Sequence, residues 1–337
     1  MIPDVSCTIV VGGFFGDEGK GKIISYLAMK DNPSIVVRGG AGPNAGHTIK
    51  EGDKIYKVRM LPSGFLNKNA KVMIGPGVVV NPDVLLKEIQ DFDVGNRSFI
   101  DKHCGIIDEK HRVEDSKGEL KEKIGSTGSG TGPANASRAM RTLRLAKDIE
   151  SLSDYLEDVP YAINSALDAK ENILIEGTQG TFLSLWHGTY PFVTSKDITA
   201  SGICADVGIG PKRIDEVVIV FKSYVTRVGT GPLTNELGDD EIERRGWSEF
   251  GTVTGRPRRA ADFDFTLAKR AVMLNSASQI AITKMDVRFP DCRGKTTYDE
   301  LSDEAKSFVR KTEEHLGIPV TLLGTGPTVG DIIDRRK

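Results

Sequence analysis

Asp17, Glu18, Lys20 and Lys22 stand within Gly12-Gly13-Phe14-Phe15-Gly16-Asp17-Glu18-Gly19-Lys20-Gly21-Lys22, a glycine-rich run dense in acids and bases. The β-branched stretch Thr8 to Val11 precedes it and the helix-like Ile23 to Met29 follows. Strand, glycine turn and helix in that order make a phosphate cradle. Glycines let backbone N–H groups close around anion oxygens, a helix N-terminus adds partial positive charge, and a lysine adds a full one. Gly16, Gly21 and Lys22 keep the GxxxxGK spacing of a phosphate loop, but Ile23 stands where a hydroxyl normally holds magnesium. Asp17 and Glu18 are out of place in a loop meant for anions, so a carboxylate there is expected to hold the metal or to do chemistry. A charged strand-to-helix turn with no ligand would show the same residues.

His47 is the next candidate, in the run Arg38-Gly39-Gly40-Ala41-Gly42-Pro43-Asn44-Ala45-Gly46-His47-Thr48, which is too rich in glycine for regular structure. Its charge is adjustable near neutral pH, which suits an acid or base, although a solvated loop histidine is the ordinary alternative. Thr283-Lys284-Met285-Asp286 follows an apolar strand and fits the [NT]KxD pattern of guanine pockets. An ionised Asp accepts from the ring N–H and exocyclic amine that guanine presents side by side, and adenine has no such pair. A lysine stem can pack over the base. Ser126-Thr127-Gly128-Ser129-Gly130-Thr131-Gly132-Pro133 suits phosphate contacts or a flexible linker equally. Arg138, Arg141 and Arg144 would share one face of a helix, as a solvated stripe or an anion site. Phe250 to Arg259 places three arginines ahead of a helix expected from Asp262 to about Asn275.

These residues need a scaffold. Buried strands are expected at Ser34 to Val37, Lys71 to Ile74, Val78 to Val80, Ile173 to Ile175, Glu216 to Phe221, Gln279 to Thr283 and Ile318 to Leu323. Helices are expected from the Asn81-Pro82-Asp83 cap to about Gln90, as two short segments within about 146–169, and from about Ser302 to Leu316. Such alternation predicts an α/β chain with a large, mainly parallel sheet flanked by helices, and binding loops at the carboxyl ends of its strands. Neither linker nor internal repeat appears, so residues 1–337 read as one domain.

A net charge of −2 offers no basic field for nucleic acid or an anionic membrane. No apolar run is long enough for a bilayer, and Met1-Ile2-Pro3-Asp4 lacks the regions of a signal peptide, so a cytoplasmic enzyme is expected. Cys7, Cys104, Cys204 and Cys292 are scattered, which argues against structural zinc and against disulfides.

Taken together, the motifs resemble the adenylosuccinate synthetase family along almost the whole chain. Gly16 to Lys22 match its GDEGKGK, Asn44 to Thr48 its NAGHT, Glu176 to Thr181 its EGxQGT and His187 to Pro191 its HGTYP. Thr226 to Pro232 match TRVGxGP, and Thr254 to Arg259 match TGRxRR. The resemblance implies a fold related to P-loop NTPases and a homodimer. It implies GTP-driven ligation of L-aspartate to inosine monophosphate (IMP), through a 6-phosphoryl intermediate, with Mg²⁺ as cofactor.

Carried over by position, Asp17 would be the base and a magnesium ligand with the Gly46 carbonyl, His47 the acid or donor at the 6-oxygen, and Lys20 the cation at the transferred phosphate. GTP would meet Gly16, Asp17, Glu18, Gly19, Lys20, Gly21, Lys22, Gly46, His47, Thr48 and Arg258, with Lys284, Met285, Asp286, Gly324, Thr325 and Gly326 around guanine. IMP would meet Asp17, Glu18, Gly19, Lys20, Asn44, Ala45, Gly46, His47, Thr127, Gln179, Thr194 and Arg256, and Arg141 would reach IMP on the neighbouring subunit. Thr252, Val253, Thr254, Gly255, Arg256, Pro257 and Arg258 would form the aspartate loop, where arginines suit two carboxylates. An ordinary aspartate is too weak a base to take the ring proton unaided, so charge on the oxygen must be stabilised as the proton leaves.

Phe14-Phe15 replaces the family's Gln-Trp, and Pro43 replaces a common histidine; neither position carries the chemistry. The chain is short between about 150 and 172 and after Val287, as in the compact archaeal form. Two rivals remain on the residues alone. A regulatory P-loop GTPase would share the glycine loop and TKxD but has no use for Asp17, His47 and the arginine loop. A ligase resembling dethiobiotin synthetase would share the fold without selecting guanine.

Overall fold

Parallel strands are covered on both faces, and the apolar run of β1 (Cys7–Gly12) needs that situation. Ile9 and Val11 face one core with Val37, Ile175, Ile219 and Ile282, while Val10 faces the other with Val36, Leu174, Val220 and Ala281. Helix α1 (Lys20–Asp31) seals the second face with Ile23, Ile24 and Leu27. Each of these fully buried side chains stabilises the fold by ~1.5–3 kcal/mol before entropy is counted. Four further helices, Val159–Asp168, Ala200–Val207, Phe265–Asn275 and Asp303–Leu316, contribute apolar residues to the first core.

The computed structural model describes residues 6–117, 124–251 and 255–336. Beside β1, the main sheet holds β2 (Ile35–Arg38), β3 (Lys71–Ile74), β4 (Ser98–Asp101), β5 (Leu156–Glu157), β6 (Ile173–Glu176), β7 (Glu216–Lys222), β8 (Gln279–Thr283), β9 (Val320–Gly324) and β10 (Ile332–Asp334). Their spatial order is β10-β9-β8-β7-β1-β6-β2-β3-β4-β5. Every neighbouring pair is parallel except β9 with β10. The chain runs outward from β2 to β5, returns to place β6 between β1 and β2, then builds the other side from β7. Strand order therefore reverses around β1 and β6, and the crevice outside their carboxyl ends is where such sheets bind ligands. Among the described residues, no helix is long and apolar enough to cross a membrane, and all four cysteines are buried and free.

The expected α/β architecture is present, with local corrections. Asn81 caps Pro82–Asp91 as expected, accepting from the Val84 N–H at 3.2 Å. Val79–Val80 pairs with Gly105–Ile106 outside the main sheet. The two short helices expected in 146–169 are two 3₁₀ segments, strand β5 and one true helix. His47 does not lie mid-loop: it opens the antiparallel hairpin His47–Glu51 with Lys54–Val58. A second hairpin pairs Val225–Val228 with Arg258–Ala261. The arginine stripe dissolves, because the helix Thr131–Ala139 ends first and Arg141 turns left-handed at φ 62°. Arg138 donates to the His103 carbonyl at 2.8 Å, and Arg144 pairs with Asp108.

Candidate active site

The loop after β1 is braced from within. Glu18 is fully buried; one carboxylate oxygen accepts the Phe14 and Gly16 N–H groups at 2.9 and 2.8 Å, and the other meets Lys20 Nζ at 3.0 Å. A Cβ on Gly12 would lie 2.4 Å from the Gln179 carbonyl and 2.6 Å from that carboxylate, so only glycine fits. Of the two acids in the loop, Glu18 shapes it and Asp17 faces the cleft.

Asp17 accepts from the Thr226 hydroxyl, with Arg258 Nε at 3.5 Å and Lys222 Nζ at 3.9 Å. Burial pushes its carboxyl above the ordinary range, while Lys222 and Arg258 pull it back. It is therefore a stronger base than the ordinary aspartate expected from sequence.

His47 packs against the start of α1, where a Cβ on Gly21 would come within 2.9 Å of the His47 Cβ. Its Nε2 stands 3.1 Å from Glu176 Oε1, at ion-pair distance though not aligned as a hydrogen bond. Arg38 Nη1 lies 3.8 Å from the same oxygen, and the Ser63 N–H donates to the other. Burial pushes the imidazole down and Glu176 opposes it. Burial alone would raise Glu176, but His47, Arg38 and the Ser63 amide hold it below the usual carboxylate range.

Asp17 and His47 line one cleft of about 400 Å³ with Gly16, Asn44, Ala45, Gly46, Thr127, Gln179, Thr194, Arg256 and Arg258. Several of these are already linked. Gln179 donates to Asn44 Oδ1 at 3.1 Å and Asn44 to Thr194 Oγ1 at 3.4 Å, while Thr127 and Ser129 hydroxyls meet at 2.9 Å. Arg256 donates to the Gly125 carbonyl at 2.8 Å. Arg258 pairs with Glu249, which also accepts from Lys222 at 2.8 Å and Tyr224 at 2.6 Å. Gly255 and Pro257 flank Arg256, whereas Thr252, Val253 and Thr254 lie outside the described residues.

The guanine candidates gather elsewhere, at the ends of β8 and β9. Lys284 takes a left-handed φ of 61°, Met285 and Asp286 are buried in the turn that follows, and Gly324, Thr325 and Gly326 face them from the next strand. Lys284 Nζ is 3.8 Å from Glu249, and Arg293 is 3.9 Å from Asp286. Lys22 turns toward this corner, and Gly19 sits at the α1 N-terminus. Thr48 is exposed on its hairpin, and Arg141 is exposed outside the cleft. Among the described residues, no group of three or more His, Cys, Asp or Glu is placed to hold a metal ion.

Sequence reasoning missed Glu176, Lys222, Thr226 and Glu249 as partners of the reactive groups. A usable signal existed for two of them: Glu176 and Lys222 are charges closing apolar strands, which a core excludes without cause.

A family profile for adenylosuccinate synthetase matches residues 9–150 and 143–289. Adenylosuccinate synthetase of Methanocaldococcus jannaschii is 56% identical over 337 residues, covering 99% of this chain and 98% of that one. The Archaeoglobus fulgidus enzyme is 51% identical over 335 residues, covering 99% of each. The fully ligated adenylosuccinate synthetase of Plasmodium falciparum superposes with a TM-score of 0.91 at 27% identity, covering 98% of this chain and all of that one. A cyanophage S-2L succinoaminodeoxyadenylate synthetase, bound to dGMP and dATP as an energy donor, superposes at 0.79 with 26% identity over 99% of this chain and 96% of that one. On fold, motif order and identity, the chain belongs to the adenylosuccinate synthetase family, ligases that join L-aspartate to IMP in a GTP-driven reaction.

Proposed function

We propose that the cleft holds IMP between Asp17 and His47 and that the corner after β8 and β9 holds GTP. Convergence of Asp17, His47, Asn44, Thr127, Gln179, Thr194 and Arg256 on one cleft is the observation that carries this reading. Asp17 takes the purine ring proton as the 6-oxygen gains negative charge, and that oxygen attacks the γ-phosphorus of GTP. GDP leaves, carrying the electron pair of the broken bond. Aspartate's neutral amine then adds to C6 of the ring, phosphate departs with the oxygen and the electron pair of the C6–O bond, and the amine's surplus proton leaves with the phosphate.

His47 stabilises the oxygen. With Nε2 turned to Glu176, Nδ1 is the ring nitrogen left for the substrate, and the imidazolium would donate from it while Nε2–H faces the carboxylate. Glu176 favours that state and burial opposes it, and a negative oxygen beside the ring would add to the pull toward the imidazolium. Lys20 holds the transferred phosphoryl group, Arg256 and Arg258 take aspartate's carboxylates, and Asp286 reads guanine.

The residues fit Mg²⁺: Asp17 and the Gly46 carbonyl share the cleft, and this ion is commonly held by one or two protein oxygens together with substrate phosphates. When bound, it would polarise the phosphoryl oxygens. Arg141, exposed and left-handed after a helix end, fits a side chain offered to a second copy of the chain; a cytoplasmic homodimer is the working unit in this proposal.

The test is loss of IMP in the presence of Mg²⁺ and aspartate, with GTP or with ATP. Turnover requiring GTP and aspartate together is expected. Equal turnover with ATP would remove Asp286 from base selection, and GTP hydrolysis indifferent to IMP and aspartate would mark a switch instead.

A further inference from the structure

Lys22 occupies the lysine position of the phosphate-loop spacing, where the side chain ordinarily reaches the β- and γ-phosphates. Here it does something else. Its Nζ donates to the carbonyls of Gly326 and Asp331, both at 2.7 Å, spanning 304 and 309 residues of sequence. The same Asp331 carbonyl accepts the Thr325 N–H at 2.9 Å, and the Asp331 carboxylate accepts the Thr328 N–H at 2.7 Å. One ammonium thus fastens the first turn of α1 to the tight loop Gly324–Asp331. Thr283 makes a parallel tie, donating from its hydroxyl to the Glu18 carbonyl at 2.6 Å. Burial pushes Lys22 down to about 8, with Asp331 and Asp286 opposing and Lys284 adding to the fall. An ammonium kept at that cost, with two of its three N–H bonds on carbonyls, is poorly placed to serve a phosphate.

We propose that Lys22 is a specificity-positioning residue: it sets the spacing between the phosphate loop and the loop that faces the nucleotide base, and so makes the corner fit guanine. This rests on the reading that Asp286 and Gly324 to Gly326 receive the base. Phosphate contact is left to the N–H groups of the loop and to Lys20, which is also buried but whose 3.0 Å partner, Glu18, belongs to the phosphate loop itself and not to a distant one.

Three variants decide it: Lys22→Met removes both bonds, Lys22→Arg keeps charge and donors, and Asp286→Asn tests the base pocket separately. For each, kcat, the three KM values, the GTP/ATP ratio of kcat/KM and Tm are measured. Lys22→Met is expected to raise the KM for GTP about tenfold or more and to lower the GTP/ATP ratio, with the KM for IMP within about twofold and Lys22→Arg restoring much of the loss. A collapse of kcat with unchanged KM for GTP would make Lys22 a transition-state phosphate ligand and overturn the proposal. A fall in Tm with an unchanged GTP/ATP ratio would make it a structural tie and also overturn it. If Asp286→Asn leaves the ratio intact, the base reading fails; if it lowers the ratio and Lys22→Met does not, only the role of Lys22 fails. Should Lys22→Met not fold, Lys22→Gln, with one shorter neutral donor, carries the same comparison.

Discussion

The two halves of this site are held by different forces. On the phosphate and base side, side chains are committed to backbone: Glu18 to two amides, Lys22 to two carbonyls, Thr283 to the Glu18 carbonyl. On the substrate side, charges hold one another: Glu249 gathers Lys222, Arg258 and Tyr224, with Lys284 nearby, and Asp17 sits at the edge of that cluster. Backbone partners cannot be displaced without unfolding a loop, whereas an arginine on a carboxylate can be exchanged onto a ligand's carboxylate of the same chemistry. On the proposed function, one half would be a preformed nucleotide seat and the other a set of ionic contacts that substrates rearrange.

The sharpest break comes at the reacting atoms. Asp17→Ala and His47→Ala are each expected to lower kcat by ~10²–10⁴, the usual contribution of a positioned acid or base, while GDP affinity stays within a few-fold because the nucleotide seat is intact. Steady-state kinetics beside GDP titration separates the two effects, and near-normal kcat in either variant removes that residue from the mechanism. Glu176→Gln should follow, with kcat down roughly 10–100-fold and KM for IMP little changed, since it alters the nitrogen opposite the one that meets substrate. A parallel loss in KM for all three substrates would mean that the Arg38–Glu176 pair is only structural. Arg256→Lys keeps charge and loses the fork, so KM for aspartate should rise about tenfold with KM for GTP unmoved. A matching rise in both constants would erase the distinction between the halves.

How much of this was legible depended on range. β1, β3, β6, β7 and β8 are apolar runs, and a run announces burial without reference to anything else. β4 (Ser-Phe-Ile-Asp), two-residue β5 and β10 escaped because a short strand, or one with polar ends, is defined by its neighbours. The candidate site residues stood out because phosphate and guanine chemistry forces spacing within single loops. Their supports were not: Thr226 reaches Asp17 across 209 residues, and His47 meets Glu176 from a different strand. The arginine stripe failed for a local reason, since periodicity assumes a helix and this one stops at Ala139 before Arg141 turns left-handed.

A last prediction probes the ionic half by acid. Glu249 would be raised by burial alone, yet Lys222, Lys284 and Arg258 outweigh that and hold it at about 2, against an ordinary value near 4.5. A carboxyl depressed in the folded state contributes stability above its unfolded pKa and loses it as pH falls through the folded one, so the window runs from about 4.5 down to about 2. That contribution is on the order of 3–4 kcal/mol, since each pKa unit is worth about 1.4 kcal/mol. Asp17 acts with the opposite sign: raised by burial, it takes up its proton earlier in the folded state and offsets part of the loss. Glu249→Gln removes the titrating group while keeping its shape. Wild type should therefore melt above the variant at pH 6, with the gap closing as pH falls toward 3, and amides of the Arg258–Ala261 strand should exchange in acid before those of α1. A gap in Tm that stays constant between pH 6 and 3 would show that the cluster is held by packing rather than charge, and the two halves would then differ in composition but not in what holds them.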